Sequence, residues 1–318
     1  MKFKAWIGLA IGLALLSPIA ACTPEPSTPV SSAETSSEPR RSVAHAMGTT
    51  DVVETPKRVV VLTNEATDIV LALGVTPVGA VRSWSGDPYY DYIAADMTTV
   101  DIVGDELQPN LESIAALNPD LILGSKVRQR GIYRRLNKIA PTVFSETIGA
   151  TWKDNVTLYA EALGRSEQAD VLLAEWDNRV ADFKQKLGDQ IIETSLVRLM
   201  PGAARVYYKD SFPGQVVDEV GLARPASQDK KGFAQPVSQE QIPQMDGDAI
   251  FYFVFTGTEA EQPVSTITEP WLQQPLWQQL DAVQQGNVYA VDDAIWTASS
   301  GIKAANLLLD DLYTHLDP

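Results

Sequence analysis

The stretch KRVVVLTNEATDIVLALGVTPVGAV, Lys57 to Val81, decides the fold. Val59 to Leu62 is a short continuous apolar run, the pattern of a strand buried on both faces. The next residues predict a helix over about Glu65 to Leu73, closed by Gly74, and then a second strand over Val78 to Val81. The alternation recurs downstream: NLESIAAL reads as a helix, DLILG as a strand, GIYRRLNKI as a helix and TVF as a strand, with short loops between them. Strands and helices at this spacing predict an α/β sandwich with a parallel-type sheet, here an N-terminal α/β lobe over 55–150.

From Trp152 to Leu187 the chain changes character to helical, with a break at Gly164. Ala169, Leu172, Leu173, Trp176, Val180, Phe183 and Leu187 follow one another in steps that keep one helix face apolar. A helix of this kind, about 22 residues, is roughly 33 Å long, enough to connect two lobes. We therefore read 151–188 as a linking helix. The α/β pattern then restarts over 189–318. Strands are predicted at Leu196 to Met200, Arg205 to Tyr208, Ile250 to Phe255 and Val288 to Val291, and helices near Phe212 to Val220, Gln239 to Gln244 and Lys303 to His315. The expected architecture is two α/β lobes joined by one long helix, and its stiffness implies a largely preformed site with little lobe closure.

The amino terminus sets the compartment. Lys2 and Lys4 precede an apolar run from Ala5 to Leu16, too short to span a bilayer but suited to a signal peptide over 1–21. Cys22, the only cysteine of 318 residues, excludes an intramolecular disulfide and a thiolate metal site. Residues 22–54 are rich in Ser, Thr, Pro and Glu and lack aromatics, so they read as a disordered tether. The chain carries 41 acidic and 25 basic residues; losing Lys2 and Lys4 leaves 23 basic ones, a net of about −18. Such a charge disfavours nucleic acid and anionic membrane surfaces as partners.

Against that background LILGSKVRQRGIYRRLNKIAPTVFS, Leu121 to Ser145, holds six basic residues and no acid. Ligands of open α/β sheets sit beyond the carboxyl ends of strands, where the loop after DLILG carries Lys126 and Arg128. Arg82 and Trp84 leave another predicted strand in the same way. Arg198 interrupts an apolar strand, a costly place for a charge unless it faces a cleft or a carboxylate. Alternation sends Tyr207 and Tyr208 to opposite faces. Arg134, Arg135 and Lys138 read as a solvated basic helix face.

Five motifs in register now carry a family resemblance: TPKRVVVL, QPNLESIAALNPDLILGS, VDEVGLARP, PVSQEQIPQMDGDAIF and PLWQQLDAVQQGNVYAVDDAIWTASSGIKAANLLLDDL. Together they resemble class III substrate-binding proteins of bacterial ABC importers, in the iron-siderophore branch. IAAC, Ile19 to Cys22, resembles a bacterial lipobox, which implies cleavage before Cys22 and its lipidation, anchoring the chain to the outer face of the cytoplasmic membrane. The resemblance implies a monomer that holds a ferric siderophore between its lobes, has no permanent cofactor or direct protein ligand to iron, and catalyses nothing. It implies docking on a permease dimer with its ATPase through Glu112 and Glu240, both in first helical turns. It favours Arg128 as a siderophore contact, with Lys126 or Arg130 less so, and Trp296 as an aromatic against the ligand. Arg82, Trp84, Arg198 and Tyr208 complete the expected siderophore-binding set. Arginine suits the crowded oxygens of a hydroxamate or citrate–hydroxamate complex because its planar fork donates several hydrogen bonds at once.

Two other readings stay open. Haem or bare ferric iron could be held by tyrosines, from the pairs Tyr89–Tyr90 and Tyr207–Tyr208. Only two histidines, His45 and His315, are present, which disfavours an imidazole-built metal site. A tethered extracellular hydrolase lacks support, since there is no Gly-x-Ser-x-Gly elbow and no glycine-rich phosphate loop.

Overall fold

The structure, a computed structural model, describes residues 39–256 and 263–318. The signal segment, Cys22 and the tether up to residue 38 lie outside the described residues.

Lys57 to Val81 folds as its pattern predicts. Val59–Val61 forms strand β3, Asn64–Ala72 a helix whose N-cap Thr63 accepts a hydrogen bond from Ala66 N, and Gly79–Arg82 strand β4. With β5 (Asp101–Asp105), β6 (Gln108–Pro109), β7 (Leu121–Ser125) and β8 (Thr142–Ser145) these make a six-stranded sheet in the order β6-β5-β4-β3-β7-β8. Every pairing is parallel except β5 with β6. Helices cover both faces, so Val59, Val60 and Val61 are all buried.

The second sheet contains β9 (Thr194–Met200), β10 (Ala203–Tyr207), β11 (Ala234–Val237), β12 (Ala249–Val254) and β13 (Val288–Val291), in the order β11-β10-β9-β12-β13. It is mixed rather than parallel throughout: β9, β12 and β13 run together, whereas β10 opposes both β9 and β11. The two-residue turn between Met200 and Ala203 explains the reversal, because so short a loop can only return the chain antiparallel.

The linking region is two helices, Trp152–Leu163 and Ser166–Leu187, separated where Gly164 adopts φ 68°. Its apolar stripe is buried at Ala169, Trp176, Val180, Phe183 and Leu187. Trp176 packs edge-on against Trp152 at 5.2 Å and donates from Nε1 to Glu219 at 3.2 Å. The long helix is thereby fixed at both the residue that opens the linking region and a helix of the second lobe.

One expectation is corrected. The tether does not extend to residue 54, because Arg40–His45 (β1) and Gly48–Val53 (β2) pair as an antiparallel hairpin. Its alternation, with Val43, Thr50 and Val52 buried, is legible once the polar composition is set aside. His45 is part of the fold: Nδ1 accepts from Met47 N and Phe144 N, and Nε2 donates to Thr50 Oγ1 at 2.9 Å. Burial pushes its pKa down from the ordinary imidazole value, in keeping with the neutral ring this pattern requires.

Helix Ile302–Leu316 returns to the first lobe, and its amino terminus is capped from there. Asp68, fully buried in the Asn64–Ala72 helix, accepts from Lys303 N at 2.8 Å, Ala304 N at 3.0 Å and Tyr92 Oη at 2.7 Å. A Cβ on Gly301 would stand 2.2 Å from Asp68 Oδ1, so only glycine permits this approach.

Candidate ligand-binding cleft

A cleft of about 560 Å³ opens between the two sheets. Its walls come from the carboxyl ends of strands, where ligands of such sheets collect. Trp84 lies two residues past β4, Val127 and Arg128 just past β7, Thr147 two residues past β8, Phe255 next to the end of β12, and Thr297 beyond β13. Phe212 and Phe233 add apolar surface from the second lobe, and the turn at Ile148 to Ala150 closes the floor.

Two arginines face this space, and a buried carboxylate holds each. Arg128 Nε donates to Glu106 Oε1 at 2.7 Å. Glu106 is 2% exposed, and its second oxygen accepts from Asn64 N and Asn64 Nδ2, both at 2.9 Å. Gln129 braces the same corner, donating to Leu62 O and Glu106 O while accepting from Ser125 N. Only the inner edge of the Arg128 fork is engaged among the described residues, which leaves its terminal nitrogens for the cleft.

Arg198 is tied more completely. Its Nε and Nη2 donate to the two oxygens of Asp293, each at 2.6 Å, and its guanidinium lies 4.6 Å from the Phe255 ring centroid. Burial pushes the Asp293 carboxyl up from its ordinary value, against the downward pull of Arg198. The sequence condition for a charge inside an apolar strand, a cleft or a carboxylate, is met by both at once.

Of the expected site residues, Trp84, Arg128 and Arg198 line the cleft. Arg82, Lys126, Tyr208 and Trp296 do not. A register shift between Ala80 and Arg82 accompanies an exposed Arg82, whose Nε lies 4.0 Å from Asp105. Lys126 is drawn to Glu146 at 2.6 Å. The Tyr208 hydroxyl bonds the Gln235 side chain, and Lys230 Nζ sits 5.6 Å over its ring. Trp296 is fully buried, stacked on Phe251 at 4.8 Å, with Nε1 donating to Asp311 Oδ2 at 2.7 Å. It anchors the π-helical turn Ala294–Ala298, and that turn offers Thr297 and Ala298 to the cleft in its place.

The tyrosine pairs offer no converging set of iron ligands, for none of the four lines the cleft. Burial pushes the Tyr89 phenol up to about 12 and Tyr90 well above its ordinary value, which opposes the phenolate that ferric iron needs. Among the described residues no group of three or more His, Cys, Asp or Glu is placed to hold a metal ion.

Glu112 and Glu240 are both exposed in first turns. The Asn110 side chain caps the turn of Glu112 by accepting from Glu112 N and Ser113 N. Ser238 and Gln241 form the capping box at the turn of Glu240, and the Ser238 hydroxyl helps hold the Glu240 carboxyl below its ordinary value.

Residues 59–295 match the family described as periplasmic binding protein. The chain belongs to this family. The periplasmic binding protein fold accounts for both sheets and the long helix, and the chain is a binding protein, not an enzyme. Among curated relatives it is similar to the probable siderophore-binding lipoprotein YfiY of Bacillus subtilis, 48% identical over 307 residues, covering 93% of each chain. It is 37% identical over 265 residues to the achromobactin-binding periplasmic protein of Dickeya dadantii, covering 81% of this chain and 85% of that one. Among solved structures, Staphylococcus aureus SirA complexed with staphyloferrin B superposes with a TM-score of 0.80 at 36% identity, over 87% of this chain and 98% of SirA.

Among the residues that sequence reasoning missed are Glu106 and Asp293, which hold the two cleft arginines, and Phe212, Phe233 and Phe255, which line the cleft. A signal existed for the carboxylates alone: an arginine inside or just past a buried strand requires an acid nearby, but not which of many.

Proposed function

We propose that this periplasmic binding protein captures a ferric siderophore in the interlobe cleft and delivers it to an ABC permease dimer driven by its ATPase. The observation that carries the reading is the pair of arginine forks, Arg128 and Arg198, fixed by buried carboxylates at opposite walls of a 560 Å³ cleft whose other lining is largely aromatic and aliphatic. Such a site matches a ferric complex, which presents clustered oxygens around the metal and an organic backbone around those. The similarity to YfiY, a probable siderophore-binding lipoprotein, supports it.

The ligand class we favour is hydroxamate or citrate–hydroxamate, because two forks suit a few exposed oxygens better than the full charge of a tris-catecholate. Glu112 and Glu240, one from each half of the chain and both pointing to solvent, are the docking carboxylates in this account. Lipid on Cys22 holds the protein, a monomer, at the outer face of the cytoplasmic membrane.

The test is a tryptophan-fluorescence titration of the soluble chain starting at Thr23, with ferric and iron-free hydroxamate siderophores, haem and ferric citrate side by side. Trp84 in the cleft wall supplies the signal. Submicromolar quenching by the ferric hydroxamate and not by its iron-free form is the expected result; a response to haem or bare iron alone would overturn it.

A further inference from the structure

Asn64, Glu65 and Asp68, near the amino end of the Asn64–Ala72 helix, are polar and buried. Each reaches a different part of the cleft boundary. Asn64 supports Glu106 and through it Arg128, and Asp68 caps the helix that begins two residues after Ser300.

Glu65 reaches the floor. Residues 147–150, all of which line the cleft, carry the chain from β8 to the Trp152–Leu163 helix. Gly149 N donates to Glu65 Oε2 at 2.6 Å. Asn155 Nδ2 donates to Glu65 Oε1 at 2.6 Å and to Thr147 O at 2.9 Å. One carboxyl thus ties the floor turn at two points, Gly149 directly and Thr147 through Asn155. On its other side the turn meets the second lobe. A Cβ on Gly149, whose φ is 80°, would stand 3.6 Å from Phe212 Cβ and 3.8 Å from Ser300 Oγ, and both residues line the cleft.

The geometry calls for a carboxyl at this position. Two N–H donors aim at two oxygens, and a carboxylate answers both; a glutamine would answer Gly149 N but set its own amide N–H against Asn155 Nδ2. Burying an acid costs free energy that an apolar side chain in the same place would not. Packing alone therefore does not account for Glu65, whereas a fixed floor does.

We infer that Glu65 is a positioning residue for ligand binding: through Gly149 and Asn155 it fixes the floor turn in the shape against which the siderophore rests between Arg128 and Arg198. This deepens the reading of the cleft as a siderophore site and rests on it. The amino end of one helix then sets the Arg128 corner, the floor and the approach of the C-terminal helix together.

The test pairs isothermal titration with ferric aerobactin, a citrate–hydroxamate complex, at a temperature where every variant is folded, with hydrogen exchange of the ligand-free protein read on the peptide that contains residues 147–150. Glu65→Gln should bind about tenfold more weakly than the wild type, and its floor peptide should exchange faster. Asn155→Ala frees Thr147 O but leaves Glu65 to hold Gly149 N; it should lose about threefold in affinity, and it carries the test if Glu65→Gln fails to fold. Thr63→Ala removes the N-cap of the same helix outside the cleft lining, and should lower the urea midpoint while changing affinity by less than about twofold. Affinities of Glu65→Gln and Asn155→Ala within about twofold of the wild type, unchanged exchange of their floor peptides, or an equal loss of affinity in Thr63→Ala would each overturn the proposal. A wild type that binds no ferric siderophore would overturn the functional reading first, and this proposal with it.

Discussion

Arg198 and Arg128 occupy opposite walls of one cleft but are built differently. Arg198 has a side chain 15% exposed, gives two hydrogen bonds to an Asp293 that is itself buried, and lies over Phe255. Arg128 is 33% exposed and gives one bond to Glu106, which has independent support from Asn64. The first is a piece of the second lobe's core that also shows an edge to the ligand. The second is a surface side chain aimed by a buried anchor. Removing Arg198 or its partner should therefore cost folding and binding together, whereas removing Arg128 should cost mainly binding.

The largest effect tests that contrast directly. Asp293→Ala leaves a buried guanidinium without its carboxylate and should lower unfolding free energy by about 3 to 5 kcal/mol. Arg128→Ala should lower it by only about 1 to 2 kcal/mol, since Glu106 keeps both Asn64 donors. Urea unfolding of the two variants measures both, and equal losses would break the comparison.

Asp68 sharpens it, as a buried carboxylate answered by backbone N–H groups instead of an arginine. Asp68→Ala strips the cap from helix Ile302–Leu316 and should cost about 1 to 2 kcal/mol. Because this cap ties the C-terminal helix to the first lobe, the variant should also show a larger drop in radius of gyration on ligand binding than the wild type by small-angle scattering. An unchanged drop would mean that the long helix alone limits closure.

Glu65 adds a case whose effect is read from pH dependence instead of from loss of a partner. It accepts from Gly149 N and Asn155 Nδ2, both at 2.6 Å, with no cation paired to it among the described residues, and burial pushes its carboxyl up to about 8 despite those bonds. A carboxyl raised by folding contributes stability that is complete below the ordinary value of 4.5 and is lost as pH rises towards about 8. Unfolding free energy should decline across that window, and Glu65→Gln should flatten the decline. An unchanged slope in the variant would assign the pH dependence to other groups.

How much of this was legible in the sequence follows the same division between local and tertiary causes. Val59 to Val81 was read to within a residue or two because its periods and the Leu73–Gly74 stop are local. β5 escaped, since Asp101, Gly104 and Asp105 interrupt the apolar pattern of a sheet strand. The β1–β2 hairpin escaped because only one face is buried and the other keeps the tether's polar composition. Arg128 and Arg198 could be picked out because a strand exit and an apolar strand are each recognisable in sequence. Glu106, Asp293 and the three phenylalanines could not, for they reach the cleft only through the packing of distant segments. Trp296 marks the limit: its π-helical turn rotates it into the core, and nothing in DDAIWTASSG announces that rotation.

The most direct test of the account is the affinity of wild type, Arg128→Ala, Arg198→Ala and the double variant for ferric aerobactin, by isothermal titration at a temperature where all four are folded. Each single change should weaken binding by about 10- to 100-fold, and the double variant should bind too weakly to measure. Retained submicromolar affinity in the double variant would contradict the claim that these two forks hold the ligand.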